Sequence, residues 1–180
     1  MRPKAIDLFA GPGGLSLGLE EAGFDILGAI EWDEAAGKTY RTNFDHPSLQ
    51  NDITEFGPSE FREFLERTSK LECGEGVSLV AGGPPCPGFS NIGRSKIISL
   101  LRDGGLDKWA WGDKNADELR HTFIQDPRNQ LFLEFVKYVE HFEPRWFIME
   151  NVPGMLSANP GNIKVTVCHW MTLYMKAFLE

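Results

Sequence analysis

"KAIDLFAGPGGLSLGLEEAG", Lys4 to Gly23, is the stretch on which the fold turns. Lys4 to Phe9 reads as a short buried strand. Gly11, Gly13 and Gly14 then mark a turn, and Leu15, Leu19 and Ala22 recur at helical spacing. Glycine in a strand-to-helix turn permits positive φ and lets backbone N–H groups come close to a ligand. The run G-P-G-G-L-S nearly matches the dinucleotide fingerprint G-x-G-x-x-G, with Ser16 where the third glycine would stand. Alone, such a turn serves a ligand or simply a tight α/β corner.

Outward from this unit the scheme repeats. "FDILGAIEWD" predicts a second strand ending near Glu31 and a helix capped by Asp33. "HPSLQNDITEF" predicts a third strand ending around Asp52 and Ile53, and "PSEFREFLERTSK" a helix with Phe61, Phe64 and Leu65 on one face. "GVSLVAGG" is apolar enough for a parallel strand buried on both sides. "NQLFLEFVKYVEHFEP" is a strongly amphipathic helix, and "RWFIMEN" a fifth strand. Alternating strands and helices indicate an α/β fold with a doubly wound, mostly parallel sheet. Right-handed crossovers would gather the carboxyl ends of the strands on one edge, where ligands bind in such sheets.

Composition bounds the rest. The chain has 180 residues, 42% hydrophobic and 24% charged, as in an ordinary globular protein. No apolar run reaches the ~18 residues of a membrane span, so no membrane partner is expected. The first ten residues lead straight into the first strand, so no signal peptide is expected. Cys73, Cys86 and Cys168 are an odd count without framework spacing, which suits a reducing intracellular compartment and no metal site. Net charge is -8, and residues 1–70 carry 7 basic and 13 acidic side chains. The chain as a whole lacks a basic footprint for nucleic acid. Asn91 to Arg102 runs the other way, with Arg94, Lys96 and Arg102 and no acid.

Several residues at the strand ends carry chemistry. Glu31, 20 positions after Gly11, can accept hydrogen bonds from both hydroxyls of a ribose; a helix cap is the alternative. Trp32 offers a flat face to an adenine, or is simply core. Asp52 can accept from an adenine amino group, or cap a turn. In "GGPPCPGFS" the prolines fix the backbone around Cys86 at a strand end, a setting that suits a nucleophile better than a packed core does. Glu150 ends an apolar strand, so a partly desolvated carboxyl group is expected, able to donate to a ring nitrogen.

With these motifs in order, "DLFAGPGG", "EWD", "NDI", "GGPPCPGFS", "DPRNQLFLEF" and "MENVPGM", the chain resembles the DNA cytosine-5 methyltransferases over residues 6–155. The resemblance implies a Rossmann-like fold of the S-adenosylmethionine-dependent type. It implies a cofactor site of Phe9, Ala10, Gly11, Gly13, Gly14, Glu31, Trp32, Asp52, Ile53, Pro84 and Leu131. It makes Cys86 the nucleophile for carbon 6 of a flipped-out cytosine, Glu150 the group at ring nitrogen 3, and Ser90, Arg94, Lys96 and Asn151 substrate contacts. Base flipping is required because neither reacting atom is accessible inside a duplex.

Departures accompany the likeness. Pro87 stands where the family usually has Gln, and residues 91–125 form a long catalytic-loop insertion within one domain spanning 1–180. The family continues with a Q-x-R-x-R segment, a target-recognition region and a last cofactor motif, none of which occurs in residues 156–180. That reading makes the fold incomplete, its partner being a second chain or a missing carboxyl-terminal region. Other functions stand beside the catalytic one: a non-catalytic S-adenosylmethionine-binding relative or inactive fragment, a tRNA rather than DNA substrate, and a nucleotide-dependent oxidoreductase using the same turn.

Overall fold

The structure, a computed structural model, describes residues 2–69, 71–85 and 131–151. The chain divides into two compact units, Met1–Pro85 with Gln130–Glu150, and Cys86–Asn129 with Asn151–Glu180. Every described helix and strand belongs to the first. In order these are β1 (Lys4–Leu8), α1 (Gly14–Glu21), β2 (Asp25–Glu31), α2 (Glu34–Asn43), β3 (Ser48–Gln50), α3 (Pro58–Thr68), β4 (Leu79–Gly82), α4 (Leu131–Phe142) and β5 (Trp146–Met149).

The five strands form one sheet in the order β3-β2-β1-β4-β5, and every pairing is parallel. Strand order reverses between β1 and β4, the place where a doubly wound sheet opens its ligand crevice. The register sets Leu8 beside Ile30 on one side and Gly82 on the other. The central strands are buried almost throughout, which explains their continuous apolar runs.

Local chemistry sets the helix boundaries. Asp33 caps α2 by accepting the Ala36 amide at 2.8 Å, and Pro58 opens α3 at a position where its missing N–H costs nothing. One apolar cluster joins Leu19 of α1 to Ala5, Ile26, Leu79 and Ala81 of the sheet. A second, aromatic contact set joins α3 to α4: the Phe61 ring lies 5.8 Å from Tyr138 and 6.4 Å from Phe142. Phe61 is fully buried, so truncation to alanine should cost about 3–5 kcal/mol. The Tyr138 hydroxyl donates to the Phe56 carbonyl at 2.6 Å, tying α4 to the turn before α3.

One expectation needs correction. The third strand ends at Gln50, short of Asp52 and Ile53. Side chains there take over the backbone donors, Asn51 accepting the Asp52 amide and Asp52 the Thr54 amide, each at 2.8 Å, so the ladder stops. Among the described residues β5 is the sheet edge, with Trp146 61% and Ile148 44% exposed. Among the described residues no helix is long and apolar enough to cross a membrane.

Candidate active site

Because all five strands run parallel, the residues that follow them share one edge: Phe9–Gly14, Glu31–Trp32, Asn51–Ile53, Gly83–Pro85 and Glu150–Asn151. Nearly every described residue singled out from the sequence stands here, and Leu131 begins α4.

The loop after β1 is bent by unusual backbone. Phe9 has φ 57°, Gly11 56° and Gly13 101°. An aromatic residue in the left-handed region is uncommon and concentrates at ligand sites; nothing in the residue type of Phe9 announces it. A Cβ on Gly13 would lie 2.2 Å from Cε2 of Phe44, so a side chain there would force that ring to shift. Around Gly11 and Gly14, by contrast, a Cβ would meet nothing within 4 Å. The loop therefore leaves open space beside its backbone, which a bound group can fill.

Glu31 spans this space. Its Oε2 accepts the Gly11 amide at 2.7 Å, and its Oε1 accepts the Asp33 amide at 2.7 Å. Each carboxylate oxygen keeps further acceptor capacity. Glu31 thus holds the loop after β1 against the start of α2 while remaining able to receive hydroxyl donors. Trp32 beside it is 71% exposed, its ring free of the core. Asp52 caps its own turn through Oδ1, which takes both the amide and the hydroxyl of Thr54 at 2.8 Å; Ile53 and Ala10 are buried. Pro84 is buried and Pro85 exposed.

β4 and β5 are neighbours, so Glu150 stands one sheet position from the strand that leads to Cys86. The Glu150 amide donates to the Gly82 carbonyl at 2.9 Å. Its Oε2 lies against Gly83, 3.2 Å from where a Cβ would be. The expected desolvation of this carboxyl group is not found. Glu150 is exposed, because it shares the open face of β5 with Trp146 and Ile148. Cys86, Ser90, Arg94 and Lys96, with the whole of residues 91–125, lie outside the described residues.

The sequence matches a known family. The C-5 cytosine-specific DNA methylase family aligns with residues 3–106 and 118–172. The chain belongs to this family. Among curated relatives, the type II methyltransferase M1.HphI of Haemophilus parahaemolyticus is 35% identical over 163 residues, 90% of this chain and 36% of the relative. M.HgiGI of Herpetosiphon aurantiacus is 36% identical over 149 residues, 83% of this chain and 90% of the relative. A prophage-encoded DNA modification methyltransferase of E. coli shares the fold at TM-score 0.66 and 28% identity, covering 94% of this chain and 38% of that one. The S. pombe Dnmt2 methyltransferase does so at TM-score 0.56 and 20% identity, covering 93% and 40%. The chain thus spans little more than a third of M1.HphI and of both solved methyltransferases.

One feature of this chain escaped the motif reading. Asp7 and Ser16 are fully buried, and Ser16 Oγ donates to Asp7 Oδ2 at 2.6 Å. The Ser16 hydroxyl also meets the Tyr40 hydroxyl at 2.8 Å, which in turn meets His46 Nδ1 at 3.1 Å. Burial pushes the Asp7 carboxyl up to about 6, although the Ser16 hydroxyl and backbone favour its charged form. Burial also pushes the Tyr40 phenol up and His46 down. The signals in the sequence were a charge inside an apolar strand and a serine in place of the fingerprint's third glycine.

Proposed function

We propose that the chain transfers a methyl group from S-adenosylmethionine to carbon 5 of cytosine in DNA, as the amino-terminal half or one subunit of an intracellular enzyme. The observation that carries this reading is the position of Glu150, beside the strand end that runs into Cys86 and on the same edge as the glycine loop and Glu31.

The cofactor reading fits the residues present. Open space flanks Gly11 and Gly14, Glu31 has acceptor capacity to spare, and the Trp32 ring is exposed. Phe9, Ala10, Gly11, Gly13 and Gly14 would hold the methionine side of the group. Glu31 would hold its ribose, and Trp32, Asp52, Ile53, Pro84 and Leu131 the neighbourhood of its adenine. When bound, S-adenosylmethionine supplies a methyl group made electrophilic by a sulfonium.

The chain's own residues do the rest. The Cys86 thiolate adds to carbon 6 of the flipped cytosine, forming a carbon–sulfur bond. Glu150 holds ring nitrogen 3, and a proton delivered there neutralises the negative charge that addition sends into the ring. Carbon 5 becomes nucleophilic; after methylation its proton leaves and the Cys86 thiolate is expelled, restoring the aromatic ring. Ser90, Arg94, Lys96 and Asn151 are assigned to the DNA. A second polypeptide or a further carboxyl-terminal region would supply target recognition, in line with the fraction of M1.HphI that the chain spans.

Equilibrium binding tests the cofactor half of this proposal. S-adenosylmethionine should bind and NAD should not, and Cys86→Ser should leave that binding intact. Preference for NAD would return the turn to a nucleotide-dependent oxidoreductase.

A further inference from the structure

The glycine at the start of α1 creates a problem that the fold solves from below. Gly13 is the N-cap residue and offers no side chain to the first turn of the helix, and a Cβ built there would lie 2.2 Å from Phe44 Cε2, so any side chain would displace that ring. Most helices satisfy their first amides with a Ser, Thr, Asp or Asn at this place. Here the anchor comes from the strand beneath, where Asp7 of β1 receives the hydroxyl of Ser16, the third residue of α1.

The hydrogen bonds run in one direction. An ionised carboxylate only accepts, so Ser16 spends its single hydroxyl proton on Asp7. Tyr40 must then donate to Ser16 Oγ, and the Tyr40 oxygen is left to accept from His46 Nδ1–H. The His46 ring proton is thereby held on Nδ1. That is a disfavoured choice locally, because Nε2 has no hydrogen-bond partner, although the Glu20 carboxylate is 3.4 Å away and would welcome a donor. The charged groups around the chain are Glu31 near Asp7, and Glu20, Asp25 and Asp45 around His46.

We propose that Asp7, acting through Ser16, is a positioning residue for the cofactor loop, within a one-way chain of buried hydrogen bonds that ends at His46. The inference rests on the reading that Phe9–Gly14 holds S-adenosylmethionine. Asp7 lies two residues before Phe9 and Ser16 two after Gly14, so their bond closes the base of the loop whose strained φ values open the ligand space. Tyr40 and His46 keep Ser16 turned toward Asp7.

Two measurements on the full chain at pH 8 test it: calorimetry with S-adenosylmethionine, and nitrogen-15 NMR of the His46 ring. Wild type should bind, with the ring proton on Nδ1. Ser16→Ala should bind at least tenfold more weakly. It should also release Tyr40 to donate to Nδ1, so the ring proton moves to Nε2 and faces Glu20. Tyr40→Phe keeps the ring packing and decides the matter if Ser16→Ala does not fold; it too should weaken binding and move the proton to Nε2. A variant that binds within twofold of wild type overturns the positioning role alone. A wild-type His46 already protonated on Nε2 overturns the direction of the chain. Wild type that fails to bind overturns the cofactor reading itself, and this inference with it.

Discussion

The two oxygens of Glu31 accept the amides of Gly11 and Asp33, each at 2.7 Å, so one carboxylate joins the loop after β1 to the start of α2. Its role is therefore double: it shapes the loop and offers acceptors at the edge of the sheet. Glu31→Ala should weaken S-adenosylmethionine binding by about 1.5–3 kcal/mol, the range for a hydrogen bond to a charged group. Glu31→Gln keeps one acceptor and should fall between. Titration calorimetry on the three proteins is the check, and equal affinities would remove Glu31 from the site.

The glycine loop makes a sharper prediction about backbone than about ligand. Gly13→Ala places a methyl group 2.2 Å from Phe44 at φ 101°, and should cost about 2–4 kcal/mol of stability. Gly11→Ala, at φ 56° with open space around it, should cost only about 1 kcal/mol. Urea unfolding of both variants tests the order. A reversed order would mean that the loop relaxes around Gly13.

Asp7 links stability to pH. Burial raises its carboxyl from 3.8 to about 6, so the folded state binds the proton more tightly than the unfolded chain does. The stability it contributes is present in full below about pH 4 and is lost as pH rises through about 6. Relative to Asp7→Asn, wild type should therefore lose on the order of 2–3 kcal/mol between pH 4 and 7. Urea titrations across that range should show the gap closing, and parallel profiles would place Asp7 in contact with water.

What the sequence disclosed and what it withheld follow different physics. Strand and helix order was legible because buried parallel strands such as "ILGAI" and "LVAG" are apolar throughout, while the helices between them are amphipathic. The edge of the sheet was legible because glycines, prolines and lone acids interrupt those runs at their ends. The end of β3 was not, since a competition between the Asn51 and Asp52 side chains and the ladder leaves no periodic trace. The exposure of Glu150 was misjudged because burial of the residue that ends a strand depends on what covers it, which an apolar run does not record. The buried chain from Asp7 to His46 joins residues 39 positions apart, and only the fold brings them together.

Arg94 and Lys96 lie in a short stretch, Asn91 to Arg102, with three basic residues and no acid. If they contact DNA phosphates, replacing both with Gln should weaken binding and lower the slope of log affinity against log salt by up to about 2. Fluorescence anisotropy at four salt concentrations measures it. An unchanged slope would make them ordinary solvated residues.

The central claim is covalent, and a trap tests it most directly. A duplex carrying 5-fluorocytosine offers the same carbon 6 to Cys86, but after methylation carbon 5 holds fluorine where a proton would leave, so the adduct cannot collapse. It accumulates even when turnover is slow. With S-adenosylmethionine and the complementing target-recognition part present, the intact mass should equal chain plus DNA strand plus one methyl group, and Cys86→Ser should show only the free chain. No adduct with wild type, or an adduct that survives Cys86→Ser, would contradict the account.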